Sequence, residues 1–399
     1  MKVVTDEQKI DNLIERGVEN VFVKEDLKKK LLSGKRLRVY LGIDPTGPTL
    51  HMGHAIPLKK LKEFQELGHE VILLMGDFTA MIGDPTDKLA SRKQLTHKEV
   101  LDNLKKYKKQ ASVFLKFGSF GGAQFKFNSK WLAKMNFGDV LDLASRMTVD
   151  QMLKRDMFVV RAKEEKPIFI HEFLYPLMQG YDSVAMEVDV EVGGNDQTFN
   201  MLAGRHLASQ MIHKDKIVLA TKLLEDNTGK KMGKTEGNMI TFEDSPNEMF
   251  GKVMSWNDFL IYKGFELCTD VPMSEVKEFQ NKITAGANPK DFKVRLAKEI
   301  VAIFHNTEKA NSAEQNFTNT FQKGEIPEEM EEVSSTGGKL LSEMLVQAKV
   351  ISSKSEFRRL VEENAVTNLS TEEKINDINF IPKVGDKFKI GKRRFVKIC

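Results

Sequence analysis

Apolar and polar positions alternate in several distinct rhythms along the chain, and each rhythm predicts an element. Leu37 to Ile43 (LRVYLGI) and Glu70 to Met75 (EVILLM) are short, mostly apolar runs bounded by turn formers, the pattern of buried strands. Between them Ile56, Leu58, Leu61, Phe64 and Leu67 follow helical spacing, and Gly68 suits the left-handed C-terminal position. The stretch Asp44-Pro45-Thr46-Gly47-Pro48-Thr49 cannot stay helical, because each proline biases its predecessor away from the α region. A βαβ unit follows. Val188, Val190 and Val192 alternate ahead of Gly193-Gly194, which predicts a further strand ending in a glycine turn. Ile10, Leu13, Ile14, Leu27 and Leu31 predict a helical hairpin over residues 1–33, packed on the first strand. Val294, Ala297, Ile300, Val301 and Phe304 form one helical stripe, the usual mark of a core-facing helix. Near the end, residues 340–361 read as two short helices and residues 380–398 as a strand pair.

Length and charge sharpen this picture. A chain of 399 residues exceeds what one hydrophobic core fills, so two or three domains are expected. The net charge is only +4, from 61 basic and 57 acidic residues, so distribution matters more than balance. From Gly337 to Cys399 there are thirteen basic and eight acidic residues, an excess larger than that of the whole chain, as a phosphate-contacting module requires. Residues 323–339 are charged, poor in apolar residues and contain Pro, Ser and Gly; they read as a linker. The lysines between Ser91 and Lys116 read by default as a solvated helix face rather than an RNA contact. Two cysteines, Cys268 and Cys399, without Cys-x-x-Cys spacing, fit a reducing cytosol and indicate no structural zinc. The N-terminus has acidic residues and no apolar core segment, and no apolar run reaches membrane-spanning length. A soluble cytoplasmic protein without a membrane partner is expected.

Three stretches carry candidate chemistry. The βαβ reading places His51 and His54 at the mouth of a helix whose unpaired N–H groups attract anions, with Gly53 leaving space for something flat against the backbone. Taken alone, such a pair is equally well a surface pair or half of a metal site, but no third ligand lies at a recognisable spacing. Lys231, Lys234 and Thr235 follow the polar stretch Glu225-Asp226-Asn227-Thr228-Gly229, which reads as a mobile loop able to close over a ligand; solvated loop lysines are the alternative. Tyr175, Gln179 and Asp182, at i, i+4 and i+7, share one helix face flanked by Phe173, Leu174, Leu177 and Met178. Polar groups on such a face need partners if buried.

HMGH at 51–54 resembles the HIGH signature of class I aminoacyl-tRNA synthetases, and KMGKT at 231–235 resembles their KMSKS signature at a suitable distance downstream. Together with the strings YLGIDPT, FQELGHEV, IGDPT, EFLYPLMQGYD and GGNDQ, they make the chain resemble the bacterial-type tyrosyl-tRNA synthetases from about Tyr40 to its C-terminus. The resemblance implies an α/β fold: a Rossmann-type nucleotide-binding catalytic domain with a helical connective insertion, then an α-helical domain and a small α+β RNA-binding domain. The corresponding boundaries are 1–242 for the catalytic domain, with the connective and dimer insertion at about 128–173. The α-helical domain contacting the tRNA anticodon arm is 243–322, and after the linker at 323–339 the ribosomal-protein-like RNA-binding domain is 340–399. In that last module the string SSKSEFRRLV carries the match, with Phe357 where alanine is usual and Glu363-Asn364-Ala365 in place of a glycine pair.

The activity so implied joins L-tyrosine to ATP, giving tyrosyl-adenylate and pyrophosphate, and then passes the tyrosyl group to the 3′-terminal adenosine of tRNA(Tyr). Magnesium rides on the ATP phosphates, and the enzyme acts as a homodimer. By resemblance, Thr46, His51, His54, Lys231, Lys234 and Thr235 stabilise the charge that grows on the departing pyrophosphate. Tyr175, Gln179 and Asp84 hold the α-ammonium, Tyr40 and Asp182 meet the phenol oxygen, and Gln197 lies near the tyrosine. Gly42, Asp44, Gly53, His54, Gly194, Asp196 and Lys234 meet ATP, with Asp196 on the ribose. Two positions depart from the family strings: Asp87 replaces the glycine usual after IGDPT, and Gly233 replaces the middle serine of the signature.

Three rivals remain at this point. The tryptophan enzymes share the fold and signatures, but Asp182 with Tyr40 favours a phenol, because an indole offers only a donor. Small adenylyl- and cytidylyltransferases also carry an H-x-G-H helix start, without reason for the basic tail. A catalytically inactive RNA-binding paralogue would not need competent residues at every signature position.

Overall fold

The computed structural model describes residues 2–86, 94–118, 121–225, 239–322, 330–335, 338–348, 350–391 and 394–399. The chain divides into two compact units, one of Met1–Ser245 with Lys252–Asn306 and the other of Pro246–Gly251 with Thr307–Cys399.

The first unit is built on a six-stranded sheet. Its strands are β1 (Val18–Phe22), β2 (Arg38–Ile43), β3 (Glu70–Met75), β4 (Gln124–Phe127), β5 (Val190–Gly194) and β6 (Ile217–Thr221), in the order β1-β6-β5-β2-β3-β4. Neighbours run parallel except β1, which lies antiparallel on β6. From β2 the chain winds outward to β3 and β4, then returns to build β5 and β6 on the other side. The order therefore reverses between β2 and β5, and the carboxyl ends of those strands border a crevice. Val39, Ile72, Val190 and Val218 are wholly buried, as expected for parallel strands covered on both faces.

Between β2 and β3 runs the helix Met52–Glu66, which buries Ala55, Ile56, Leu58, Leu61 and Phe64. Lys59 and Lys60 go under with that face, and each finds a partner: Lys60 Nζ donates to the Leu13 carbonyl at 2.9 Å and to Glu63 at 2.8 Å, and Lys59 pairs with Asp270 at 3.0 Å. The hairpin expected over residues 1–33 contains a strand instead, because β1 separates the helices Glu7–Glu15 and Lys24–Leu32. Val18–Phe22 satisfies its backbone by pairing with β6, some 200 residues away in sequence, which no local periodicity reveals.

The second unit carries a five-stranded sheet of order β7-β11-β10-β8-β9, comprising β7 (Glu331–Val333), β8 (Val366–Asn368), β9 (Glu373–Lys374), β10 (Lys387–Ile390) and β11 (Arg394–Ile398). The helices Leu341–Gln347 and Lys354–Glu362 cover a core containing Leu341, Leu345, Phe357, Phe388 and Ile398. Phe357, the departure from the family string, is 1% exposed and belongs to that core. Within the stretch read as a linker, Glu331–Val333 is a strand paired in parallel with β11; residues 323–329, 336 and 337 lie outside the described residues. No helix among the described residues is long and apolar enough to cross a membrane.

Candidate active site

The carboxyl ends of β2 and β5 and the start of the Met52–Glu66 helix enclose a cleft of about 1000 Å³. Gly42, Asp44 and Thr46 reach it from β2 and the following loop, and His51, Gly53 and His54 from the helix start. Gly194, Asp196 and Gln197 enter from the end of β5, and Tyr40, Asp84, Tyr175, Gln179 and Asp182 complete the wall. Every candidate residue within the described part of the chain thus lines one cavity. Lys231, Lys234 and Thr235 lie outside the described residues, as does Asp87.

The two histidines form the helix cap itself. His51 is the N-cap, its Nδ1 accepting from the Gly53 N–H at 3.1 Å, while His54 Nδ1 accepts from the His51 N–H at 3.2 Å. Both Nδ1 atoms being acceptors, the neutral rings carry their proton on Nε2 and serve as Nε2–H donors. The rings lie 3.9 Å apart, centroid to centroid. A Cβ at position 53 would stand 3.0 Å from the His51 ring, so the glycine of HMGH admits the cap. The segment just beyond KMGKT is tied to the same place: Met52 N–H donates to the Ile240 carbonyl at 2.9 Å and Phe242 N–H to the Leu50 carbonyl at 3.0 Å. The loop between β2 and this helix is braced by Tyr107, whose hydroxyl donates to the Gly47 carbonyl at 2.6 Å, and by Gln110, which accepts from the Leu50 N–H at 2.7 Å. Lys98, Lys105, Lys106, Lys108, Lys109 and Lys116, from the lysine run, are exposed, consistent with a solvated face.

Tyr175, Gln179 and Asp182 sit on the helix Ile170–Ala185. Tyr175 donates to Asp44 Oδ2 at 2.8 Å, which leaves its oxygen lone pairs as acceptors toward the cleft. Asp44 Oδ1 accepts from Thr79 at 2.7 Å, and any Cβ at Gly76 would collide with both groups, so a glycine is required there. Asp182 is buried, its Oδ1 accepting from Trp131 Nε1 at 2.7 Å and its Oδ2 from Asn128 Nδ2 at 3.3 Å. Burial pushes the Asp182 carboxyl well above the ordinary range, the Trp131 and Asn128 donors pull it back, and the charges of Glu191 and Asp44 push it further up. Burial likewise raises the Tyr40 and Tyr175 phenols well above their usual range, reinforced by the neighbouring carboxylates, so both stay protonated donors.

Asp84 accepts from Gln197 Nε2 at 2.9 Å, from the Thr86 hydroxyl at 2.7 Å and from Arg155 at 3.3 Å. Asp196 is raised to about 6, chiefly by burial and then by the charge of Asp84. With Asp44, Asp84, Asp182, Asp196 and Glu191 all lining it, the cleft is suited to a cationic group such as an ammonium.

Sequence patterns missed several residues that shape this wall. Asn128, Trp131 and Arg155 come from the connective stretch, and Ser183, Glu191 and Lys216 from buried positions beside it. One signal was available for Glu191: it is the single charge inside the apolar alternation of β5, where an unpaired carboxylate would be costly.

Comparison with known proteins agrees with the geometry. The family tRNA synthetases class I (W and Y) matches residues 32–322. A tyrosine–tRNA ligase of Carboxydothermus hydrogenoformans is 47% identical over 401 residues, covering 97% of this chain and 96% of the relative. The tyrosine–tRNA ligase of Thermotoga maritima is 44% identical, covering 99% of this chain and 98% of its own. Among solved structures, a C-terminally truncated Coccidioides posadasii mitochondrial tyrosyl-tRNA synthetase superposes with a TM-score of 0.62 at 25% identity, covering 77% of this chain and 91% of that one. The Archaeoglobus fulgidus tyrosyl-tRNA synthetase complexed with L-tyrosine shares the fold, with a TM-score of 0.62 at 24% identity and coverage of 77% and 100%. On its signatures, its sheet and this similarity along nearly its whole length, the chain belongs to the tyrosine–tRNA ligases, a family of class I aminoacyl-tRNA synthetases.

Proposed function

We propose that this cleft activates L-tyrosine with ATP and transfers it to tRNA(Tyr). The observation that carries the reading is the convergence of Tyr40, Asp84, Tyr175, Gln179 and Asp182 on the same cavity as the His51-capped start of the Met52–Glu66 helix. The tyrosine ammonium sits among Asp84, the Tyr175 oxygen and the Gln179 amide oxygen, and its phenol between Tyr40 and Asp182. Gln197, bonded to Asp84, lies beside the tyrosine. ATP occupies the rim formed by Gly42, Asp44, Gly53 and Gly194, with its ribose on Asp196. The tyrosine carboxylate attacks the α-phosphorus and pyrophosphate leaves. The protein's task is alignment and stabilisation of charge that grows on the leaving group. Thr46 and the Nε2–H donors of His51 and His54 serve that charge, joined by Lys231, Lys234 and Thr235 from the second signature. In the second step a ribose hydroxyl at the tRNA 3′ end attacks the tyrosyl carbonyl and AMP leaves. Magnesium arrives with the ATP phosphates and screens their charge. We assign no structural zinc: the two cysteines, Cys268 and Cys399, lie far apart in the sequence and lack the paired spacing of a zinc site.

The assembly we infer is a cytoplasmic homodimer joined through the stretch 128–173. Phe137, Leu141, Val149 and Ile170 support it, standing 55–80% exposed along that stretch, where a partner surface would cover them. Residues 243–322 are assigned to the tRNA anticodon arm. Residues 340–399 are assigned to RNA on the strength of their excess basic charge, with Arg358 and Arg359 exposed on the Lys354–Glu362 helix. Aminoacylation of total tRNA with labelled tyrosine, run beside tryptophan, tests the whole reading. Charging with tyrosine alone is expected; charging with tryptophan would reassign the pocket, and charging with neither would leave an RNA-binding paralogue.

A further inference from the structure

Behind the wall that carries Tyr40 lies a buried ion pair that the proposed reaction does not use. Lys216, 0% exposed, pairs with Glu191, 2% exposed, at the foot of the cleft. Lys216 Nζ also donates to Ser183 Oγ at 2.9 Å, and Ser183 Oγ lies 3.0 Å from the Tyr40 hydroxyl. On the other side, Glu191 Oε1 accepts from Gln179 Nε2 at 3.1 Å. A Cβ at Gly204 would press against the Lys216 ammonium, so the space the ammonium fills exists because that position is glycine. Taking two charges out of water is costly, and an apolar pair of similar volume would stabilise the core as well or better. Stability alone is thus a weak reason for this pair to be there.

The chemistry of its neighbours supplies a better one. An ammonium has only donors, so Ser183 Oγ must accept from Lys216 and has one proton left to give. Its contact with Tyr40 at 3.0 Å is shorter than its contact with Glu191 at 3.4 Å, which directs that proton to the Tyr40 oxygen. With its oxygen accepting from Ser183, Tyr40 holds its own proton between the Glu191 carboxylate beside it and the cleft, where a bound phenol would take it. A carboxylate has only acceptors, so the Gln179 amide must turn its nitrogen to Glu191, leaving its oxygen for the cleft.

We propose that the Lys216–Glu191 pair is a positioning device for the amino-acid subsite, acting through Ser183 to make Tyr40 a donor toward the ligand phenol and through Gln179 to present an acceptor to the ligand ammonium. With tyrosine bound, donors run in one direction: Lys216 to Ser183, Ser183 to Tyr40, Tyr40 to the substrate phenol, and the phenol to Asp182. Each bond in such a chain polarises the next in the low-dielectric interior. Reversing Tyr40 would set two acceptors against the phenol, which has one proton to share between them. The inference rests on the tyrosine-binding reading above, and the test separates the two.

Wild type, Tyr40→Phe, Ser183→Ala and the double variant are compared by ATP–pyrophosphate exchange with tyrosine and with phenylalanine, each first checked for an unchanged melting curve. Ser183→Ala is expected to raise KM for tyrosine about tenfold, with kcat, KM for ATP and KM for phenylalanine within about twofold, so that the tyrosine-to-phenylalanine ratio falls about tenfold. In the Tyr40→Phe background the same change is expected to leave the ratio unaltered, because Ser183 acts only through the missing hydroxyl. A ratio unchanged in Ser183→Ala, or effects that multiply in the double variant, would overturn the relay. A ratio unchanged in Tyr40→Phe itself would instead overturn the placement of the phenol. Glu191→Gln, which frees the Gln179 amide to take either orientation, is expected to raise KM for both amino acids by a similar factor of about ten; a tyrosine KM within twofold of wild type overturns that half.

Discussion

Trp131 Nε1 donates to Asp182 Oδ1 at 2.7 Å, fixing from outside the helix the carboxylate that the helix presents to the cleft. Trp131 belongs to the stretch that leaves the sheet after β4, so that segment braces the wall of the cleft. Asp182→Ala leaves the Trp131 and Asn128 donors and the substrate phenol short of an acceptor. Leaving a buried polar group without its partner costs about 1–3 kcal/mol, so kcat/KM for tyrosine is expected to fall about tenfold, with a smaller loss for phenylalanine. Exchange kinetics with both amino acids check this; an undiminished tyrosine-to-phenylalanine ratio would place the phenol contact elsewhere.

Asp196 offers a pH signature. With its carboxyl raised to about 6, the free enzyme carries it protonated below that pH, and a protonated acid is a poorer acceptor for a ribose hydroxyl. KM for ATP is therefore expected to rise as pH falls below about 6, while Asp196→Asn shows a flat profile over the same range. A wild-type profile as flat as the variant's would remove Asp196 from the ribose.

His69 sets a stability limit on the acid side. It is 1% exposed, its Nδ1 accepts from the Leu37 N–H at 3.2 Å, and burial, with the charge of Arg36, holds its pKa at about 4. In the unfolded chain the ordinary value is about 6.5. Between those values the unfolded state binds more protons, so stability is lost as pH falls from about 6.5 to about 4. Each tenfold difference in proton affinity between the two states is worth about 1.4 kcal/mol, so the loss reaches about 3 kcal/mol. His69→Gln, melted across the same range, is expected to lose less of its stability on acidification than wild type; equal steepness would assign the effect to other groups.

The exposed apolar residues of the connective stretch predict an association defect. Phe137 is 78% exposed and Leu141 55%, one turn apart on the helix Phe137–Ala144. Phe137→Asp with Leu141→Asp should shift sedimentation from dimer to monomer at micromolar protein, since a charge in an apolar interface must be desolvated without a partner. A variant that sediments as a dimer would move the interface elsewhere.

The basic tail predicts a division of labour. A chain ending at Lys323 retains the cleft and should still form tyrosyl-adenylate, but should charge tRNA poorly and lose salt dependence in doing so. Charging that is intact from low to high salt would make the tail a bystander.

Much of this protein was legible in its residues. The LRVYLGI and EVILLM runs announced β2 and β3 because strands buried on both faces leave no polar alternation to misread. HMGH announced a helix start, and Tyr175, Gln179 and Asp182 announced a polar face, because both are short-range patterns with a fixed period. Sequence by itself could not give β1, whose hydrogen-bonding partner is β6, nor the strand β7 inside a stretch that composition marks as linker. It held no sign that Trp131, Asn128 and Arg155 reach into the wall from a segment read only as connective. Nor could it show that the two imidazoles cap one another's backbone, or that Lys216, Ser183 and Glu191 stand behind Tyr40. Local chemistry determines which segments become helices and strands and which residues are able to act on a nucleotide or an amino acid. Which of them meet, which atom donates and which carboxylate stays paired was decided only when the reversal between β2 and β5 brought distant stretches to one cleft, because hydrogen-bond direction in a buried site depends on every neighbour at once.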